Sequence, residues 1–191
     1  MGREFELKYA ASATDLEILK AKYPHLHPIT METTYYDSLD GRLGDLHWTL
    51  RRRMENGVSL CTLKVPGIGF GCGEWETECD DIFKAIPILM DMDAPKELSE
   101  LTAAGLQEFC GARFTRLAGY LECDGCTVEL ALDQGILLGG GKELQFSEVE
   151  VELKEGSEES AVAFGEALAR EFGLHPESRS KIARARALAG K

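Results

Sequence analysis

The stretch Arg3-Glu4-Phe5-Glu6-Leu7-Lys8-Tyr9 alternates ionic and apolar side chains. Because successive residues of a β-strand point to opposite faces, this alternation predicts a strand with one ionic and one apolar face. The same pattern returns in Glu148-Val149-Glu150-Val151-Glu152-Leu153-Lys154. Like charges held this close cost free energy unless cations neutralise them. We therefore expect metal ions or basic side chains to face these glutamates.

Length and composition bound the class of protein. The chain has 191 residues, of which 44% are hydrophobic, and we expect one domain over residues 1–191. The formal net charge of −12 argues against nucleic acid or an anionic membrane surface as the main partner. No apolar run approaches the roughly 20 residues of a membrane helix, and the chain starts with charged residues instead of a signal peptide. A cytoplasmic location is expected, and the oligomeric state is left open.

Alternation and β-rich composition predict eight strands along the chain. Asn56-Gly57 and Asp124-Gly125 have the composition of two-residue hairpin turns, so each joins two antiparallel strands. The predicted strands run over residues 3–9, 29–36, 47–55, 58–65, 73–80, 112–122, 126–133 and 143–154.

Helices are expected between these strands. Ser12 to Asp15 resembles a capping box, and Gly173 is a typical stop signal after an amphipathic pattern. The glycine-rich stretches Gly67–Gly73 and Gly139–Gly141 are interpreted as inter-strand loops. The first predicted helix begins at Ser12. The other predicted helices cover residues 81–90, 97–109, 158–172 and 180–188.

Most predicted strands combine an apolar face with an ionic face. Arg51 and Arg53 share the ionic face of their strand, whereas Arg52 is a discordant cation on the apolar face. If the eight strands close into a barrel, the amphipathic helices cover the apolar face from outside. The ionic face then lines a hydrated tunnel.

In its ordered set of motifs the chain resembles the CYTH family, also called triphosphate tunnel metalloenzymes. The resemblance begins at Glu4-Phe5-Glu6-Leu7-Lys8, which matches the Glu-x-Glu-x-Lys hallmark, and it ends at Ser180-Lys181. It implies an α+β fold built on a closed eight-stranded antiparallel β-barrel, a tunnel surrounded by helices. It also implies hydrolysis of a linear triphosphate with Mg²⁺ or Mn²⁺.

The resemblance assigns roles residue by residue. Oxygen ligands suit hard divalent cations, and guanidinium forks suit phosphate. The catalytic set is Glu4, Glu6, Lys8, Glu148 and Glu150. The metal ligands are Glu4, Glu6, Asp133, Glu148 and Glu150, with Glu152 as a further ligand on the same face. The phosphate-binding residues are Lys8, Arg51, Arg53, Lys64, Arg116 and Lys181, and Glu76 positions a cation beside the substrate.

Arg113 competes with Arg116 for the phosphate role, and the phase of the strand favours Arg116. Inorganic tripolyphosphate is the expected substrate, since the ionic phase offers no obvious aromatic platform beyond Tyr35, Tyr36 and Tyr120. The alternatives are thiamine triphosphate or another organic triphosphate, conversion of ATP to cyclic AMP as in class IV adenylate cyclases, and a non-catalytic module that binds polyphosphate or nucleotide.

Overall fold

A computed structural model of the protein describes residues 5–67 and 72–190. The strands are β1 (Phe5–Ala10), β2 (His27–Ser38), β3 (Thr49–Glu55), β4 (Val58–Pro66), β5 (Cys72–Glu78), β6 (Leu106–Cys123), β7 (Cys126–Gly139), β8 (Lys142–Gly156) and β9 (His175–Pro176). The helices are α1 (Ala13–Lys22), α2 (Arg42–Asp45), α3 (Ile82–Asp91), α4 (Glu97–Thr102), α5 (Glu158–Phe172) and α6 (Lys181–Ala189). The fold is therefore α+β, with a large antiparallel sheet and several helices.

The sheet is open, and the prediction of a closed eight-stranded barrel is wrong. Within the described ranges nine strands follow the order β5-β4-β3-β2-β6-β7-β8-β1-β9, with β5 and β9 at the two ends. A barrel closes only when its end strands hydrogen-bond to each other. Here the short strand β9 takes the edge of β1, and one of its two residues, Pro176, has no N–H to donate.

The other element predictions are largely confirmed. All eight predicted strands are present, although residues 3 and 4 of the first and most of the predicted loop at Gly67–Gly73 lie outside the described residues. Ser12 caps α1 in a capping box with Asp15, and Gly173 ends α5 with a φ of 65°. Asn56 and Gly57 both have positive φ, as a type I′ hairpin turn between β3 and β4 requires.

The predicted helix over residues 97–109 is wrong in its second half. The helix ends at Thr102, and β6 starts at Leu106. Gly105 lies between them with a φ of +102°, a conformation that no helix continues through. The short helix α2 and the two-residue strand β9 were not predicted, because neither is long enough to show a period in sequence.

The chain divides into two compact units by internal contacts. Unit 1 consists of Met1–Thr30, Phe114–Ile136 and Leu144–Ser180, and unit 2 consists of Met31–Arg113, Leu137–Glu143 and Lys181–Lys191. Each unit has its own hydrophobic core. A single domain over residues 1–191 stays a prediction.

The core of unit 1 lies between its strands and the helices α1 and α5. Tyr9 pairs with Val149 and Leu7 with Val151 across β1 and β8, so their apolar side chains share one face. Gly165 lets α5 approach this face, because a Cβ there would lie 2.7 Å from Leu7 Cδ1 and from the Tyr9 hydroxyl. The opposite face of β1 and β8 is left to their ionic residues.

The core of unit 2 is formed by the apolar face of β3 and β4 with α3 and α4. Leu50 pairs with Leu63 across the hairpin, and both are fully buried. Arg52, the discordant cation of this face, extends to the end of β5 and donates to the Asp80 carbonyl oxygen at 3.1 Å. Arg51 and Arg53 therefore point away from the core.

The cysteines whose side chains are described are free. Burial raises the pKa of the Cys61 and Cys110 thiols to about 12, and the pKa of the Cys123 thiol to about 11. These thiols are therefore protonated at neutral pH. Across residues 5–67 and 72–190, no helix has both the length and the apolar content needed to cross a bilayer.

Candidate functional site

Three buried carboxylates meet in unit 1. Asp133 lies on β7, and Glu148 and Glu150 alternate on β8, so all three belong to the ionic phase of their strands. One oxygen from each side chain lies within 4.8 Å of the others. Asp133 and Glu148 are 0% exposed and Glu150 is 7% exposed. Three converging carboxylates fit a hard divalent cation, which prefers oxygen ligands.

The guanidinium of Arg116 bridges two of these carboxylates. Its Nε and Nη2 donate to the two Asp133 oxygens, each at 2.8 Å, in a bidentate pair. Nη2 also donates to Glu150 Oε2. Burial alone would lower the pKa of Arg116, but hydrogen bonds to Asp133 and the charge of Glu150 raise it above its ordinary value. Arg116 is therefore a permanent cation inside the acidic cluster.

Lys8 supplies a second cation from the neighbouring strand. In the antiparallel register Lys8 faces Glu150, and its Nζ lies 3.6 Å from Glu150 Oε1 and 3.0 Å from Glu6 Oε1. Glu6 faces Glu152, which pairs with Lys154 at 2.8 Å. The ionic face of β1 and β8 thus holds several carboxylates, with Lys8 and Lys154 placed among them.

Lys154 joins two carboxylates of neighbouring strands. Its Nζ lies 2.8 Å from Glu152 Oε1 and 3.6 Å from Glu129 Oε2. Burial works to lower the pKa of Lys154, but the hydrogen bond to Glu152 and the charge of Glu129 raise it overall.

The basic residues of unit 2 project from the β3–β4 hairpin. Arg51 faces Thr62 and Lys64 faces Glu74 in the strand register, so these side chains share the face opposite the core. Glu74 lies between the two cations, with Oε2 at 2.9 Å from Lys64 Nζ and Oε1 at 4.0 Å from Arg51 Nη2. The Nε of Arg51 is buried and has no hydrogen-bond partner among the described residues.

Arg53 and Glu76 lie on the same face of the sheet as these basic residues. Arg53 Nε donates to Thr33 Oγ1 at 3.2 Å, and its Nη1 lies 3.5 Å from Glu55 Oε1. Glu76 accepts a hydrogen bond from Thr62 Oγ1 at 2.8 Å. Lys181 lies apart in sequence, at the start of α6, and it is buried in unit 2.

The predicted site residues therefore fall into two groups. Unit 1 brings together Glu6, Lys8, Arg116, Asp133, Glu148, Glu150 and Glu152, and unit 2 holds Arg51, Arg53, Lys64, Glu76 and Lys181. Glu4 lies outside the described residues. Of the two competing arginines, Arg116 lies in the acidic cluster, whereas Arg113 pairs with Glu32 in an exposed position.

Sequence reasoning missed the contribution of Glu74 to the basic group. Glu76 was the expected partner of a cation, but Glu74 is the carboxylate that contacts both Lys64 and Arg51. The strand phase contained the signal, because Glu74 and Glu76 share a face. The choice between them depends on the register of β4 and β5, which pairs Lys64 with Glu74.

Replacing Arg116 by methionine is expected to leave Asp133 and Glu150 without their main cation. Loss of one partner of a buried ion pair costs about 3 kcal/mol or more, so the melting temperature should fall in metal-free buffer. A divalent cation should restore part of this loss, so that Mg²⁺ or Mn²⁺ raises the melting temperature of R116M more than that of the wild type. Differential scanning fluorimetry with and without metal checks both effects.

The matched control is Arg113→Met, which removes an exposed arginine from the same strand and should leave the metal-induced shift unchanged. Equal metal-induced shifts in R116M and the wild type would show that the arginine and the metal do not share ligands. Arg116→Lys, which keeps the charge, gives the same comparison if R116M does not fold.

Comparisons with known proteins bear on the whole chain. The inorganic triphosphatase of Haemophilus influenzae (strain Rd) is 30% identical over 198 residues, which cover 100% of this chain and 56% of that protein. This chain thus spans about half the length of that relative. Two similar solved structures are a candidate adenylyl cyclase from Hippeastrum, reported to have a dominant triphosphatase activity, and a candidate adenylate cyclase from Bacillus halodurans.

Both structures share the fold of this chain at 21% sequence identity and a TM-score of 0.71. The Hippeastrum match covers 96% of this chain and 95% of that one, and the Bacillus match covers 95% and 96%. The family model of the CYTH domain matches residues 2–185. With nearly its whole length matched, the chain belongs to the CYTH domain family.

Proposed function

We propose that this protein hydrolyses a triphosphate in a metal-dependent reaction and that inorganic tripolyphosphate is its substrate. The observation that carries the proposal is the convergence of Asp133, Glu148 and Glu150 in a chain of the CYTH family. The activity of the Haemophilus influenzae relative, an inorganic triphosphatase, supports the choice of substrate. The dominant triphosphatase activity of the Hippeastrum protein supports hydrolysis over cyclisation.

In this proposal Asp133, Glu148 and Glu150 hold Mg²⁺ or Mn²⁺. Glu6 and Glu152, on the same ionic face, and Glu4 are further ligands or partners of the metal's water molecules. When bound, the metal supplies charge neutralisation at phosphate oxygens and lowers the pKa of bound water. The family tunnel of closed strands is not required for this role, because the three carboxylates already converge within unit 1.

The basic residues of unit 2 are proposed to bind phosphate oxygens. Arg51 and Arg53 present planar forks that suit two oxygens at once, and Lys64 and Lys181 supply point charges. Glu74 holds Arg51 and Lys64 in place before substrate binds. In phosphoryl transfer, positioning and neutralisation of negative charge are the main contributions that a protein makes.

Lys8 and Arg116 are proposed to bind phosphate oxygens beside the proposed metal ligands of unit 1. Both contact Glu150, a carboxylate that would also hold the metal. With Glu150 bound to the metal, Lys8 and Arg116 would be able to bind the anionic substrate instead. The positive charge of Lys8 and Arg116 therefore stabilises the fold when no metal is bound, and it binds the substrate when the metal is bound.

Changing Glu148 or Glu150 to glutamine is expected to lower metal-dependent phosphate release from tripolyphosphate by about two orders of magnitude or more. The amide keeps the size of the side chain but loses the negative charge that holds a divalent cation. Glu143→Gln is the matched control, because Glu143 lies exposed on the same strand. Release of phosphate by E148Q and E150Q at the rate of E143Q would overturn the proposed metal site.

Arg51→Gln should reduce kcat/KM for tripolyphosphate by about 10- to 100-fold, the expected effect of losing one charged hydrogen bond. Arg52→Gln is the control, because Arg52 follows on the same strand but lies on the apolar face against Asp80. Steady-state phosphate release measures both variants. An equal loss of kcat/KM in R51Q and R52Q would show that Arg51 does not bind the phosphate.

The choice of substrate is tested by comparing tripolyphosphate, ATP and thiamine triphosphate with each metal. Tyr36 is buried in the unit 2 core, so its ring does not serve as a platform for a base. We expect kcat/KM for tripolyphosphate to exceed that for ATP by at least about tenfold, which corresponds to 1.4 kcal/mol. Formation of cyclic AMP, or binding of every triphosphate without phosphate release, would favour the cyclase or the non-catalytic module.

A further inference from the structure

Helix α6 has an unusual buried face. Its buried residues are Lys181, Arg184 and Ala185, so two of the three carry a positive charge. A surface helix normally holds its place by burying an apolar stripe, and a nine-residue helix has little stability of its own. Contacts other than hydrophobic burial must therefore fix α6 in unit 2.

Arg186 provides such a contact. Its Nη2 lies 3.2 Å from Asp37 Oδ2, and the Asp37 side chain is only 3% exposed. The other Asp37 oxygen accepts a hydrogen bond from the Gly44 backbone N–H at 3.1 Å. The ring of Phe109 lies 5.0 Å from the Arg186 guanidinium carbon, within range of a cation–π interaction.

Gly44 makes room for this guanidinium. A Cβ at position 44 would lie 2.7 Å from Asp37 Oδ2 and would overlap the Arg186 guanidinium itself. No residue with a side chain allows the guanidinium to lie against the α2 backbone in this way. Arg186, Asp37 and Gly44 thus form one interlocking set, which we call the Arg186 latch.

Gly139 and Gly140 let the end of β7 approach the helix closely. A Cβ on Gly139 would fall within 3.1 Å of the Ala189 nitrogen, and one on Gly140 would fall 2.9 Å from the Ala189 Cα. The end of β7 therefore contacts the backbone of α6 directly. Backbone contact of this kind fixes the distance of the helix, while the Arg186 latch fixes its rotation and its position along the axis.

We infer that the Arg186 latch positions α6 and thereby holds Lys181 in the orientation in which it binds a phosphate oxygen. Arg186 lies five positions after Lys181, about 7.5 Å along the helix axis, so a shift at one end is transmitted to the other. This inference rests on the proposed function through the role of Lys181. Arg186 is a positioning residue in it and does not contact the substrate.

The test begins with Arg186→Met, which should raise the KM for tripolyphosphate about tenfold with a smaller change in kcat. Gly44→Ala should act in the same direction, because it displaces the guanidinium without altering any charge. Arg186→Lys should recover part of the loss. Arg179→Met is the matched control, because Arg179 is an exposed arginine paired with Glu177 just before α6, and its KM should equal that of the wild type.

A double-mutant cycle with Lys181→Gln separates positioning from a general loss of structure. If the latch acts through Lys181, Arg186→Met should change KM by less than about twofold in the K181Q background. An equal change in both backgrounds, or an unchanged KM in R186M, would overturn the inference.

Hydrogen exchange gives a readout that does not depend on turnover. The amides of α6 should exchange about tenfold faster in R186M than in the wild type, and those of α3, in the same unit, should not. If the wild type releases no phosphate from any triphosphate, the proposed function fails, and the exchange data still decide whether the latch holds α6. Unchanged exchange in α6 would overturn the latch itself.

Discussion

The structure depends on charge compensation at buried carboxylates. Asp133, Glu148 and Glu150 are buried on strands whose other faces form the unit 1 core. Burying a carboxylate costs free energy unless cations or hydrogen-bond donors face it, and here Arg116 faces Asp133 and Glu150 while Lys8 faces Glu150. The sequence alternation that buries Val149 and Val151 therefore also requires basic residues near the opposite, ionic face of the strand.

This requirement links stability to chemistry. A protein that only needed a stable sheet would gain by replacing these ion pairs with apolar residues of similar size. The retained carboxylates fit a site that accepts a second, exchangeable cation. In unit 2 the signs are reversed, since Glu74 balances Lys64 and Arg51, two cations that we propose bind phosphate.

Much of this arrangement was predictable from sequence because a strand's side chains alternate. The phase of Glu148 and Glu150 against Val149 and Val151 sets both the core and the ionic face, and the structure confirms it. Closure of the sheet was not predictable in the same way, because alternation indicates the two faces of a strand and not which strand pairs with its edge.

The prediction of a helix through residue 109 was wrong for a local reason. Gly105 has a positive φ, which the pattern of Leu98 and Leu101 does not reveal. Side-chain partners were the least predictable, since both Glu74 and Glu76 had the right phase and only the register selects Glu74.

The two-residue strand β9 has a consequence for behaviour at high concentration. An open sheet exposes backbone groups at its end strands, and such an edge is a template on which another molecule can add a strand. Here the edge of β1 is covered at Tyr9 and Ala10, and Glu177 donates its N–H to the Lys8 carbonyl oxygen. The covering strand is too short to offer a ladder of its own, and Pro176 interrupts it. A minimal strand thus covers the Lys8–Ala10 part of the β1 edge against intermolecular pairing.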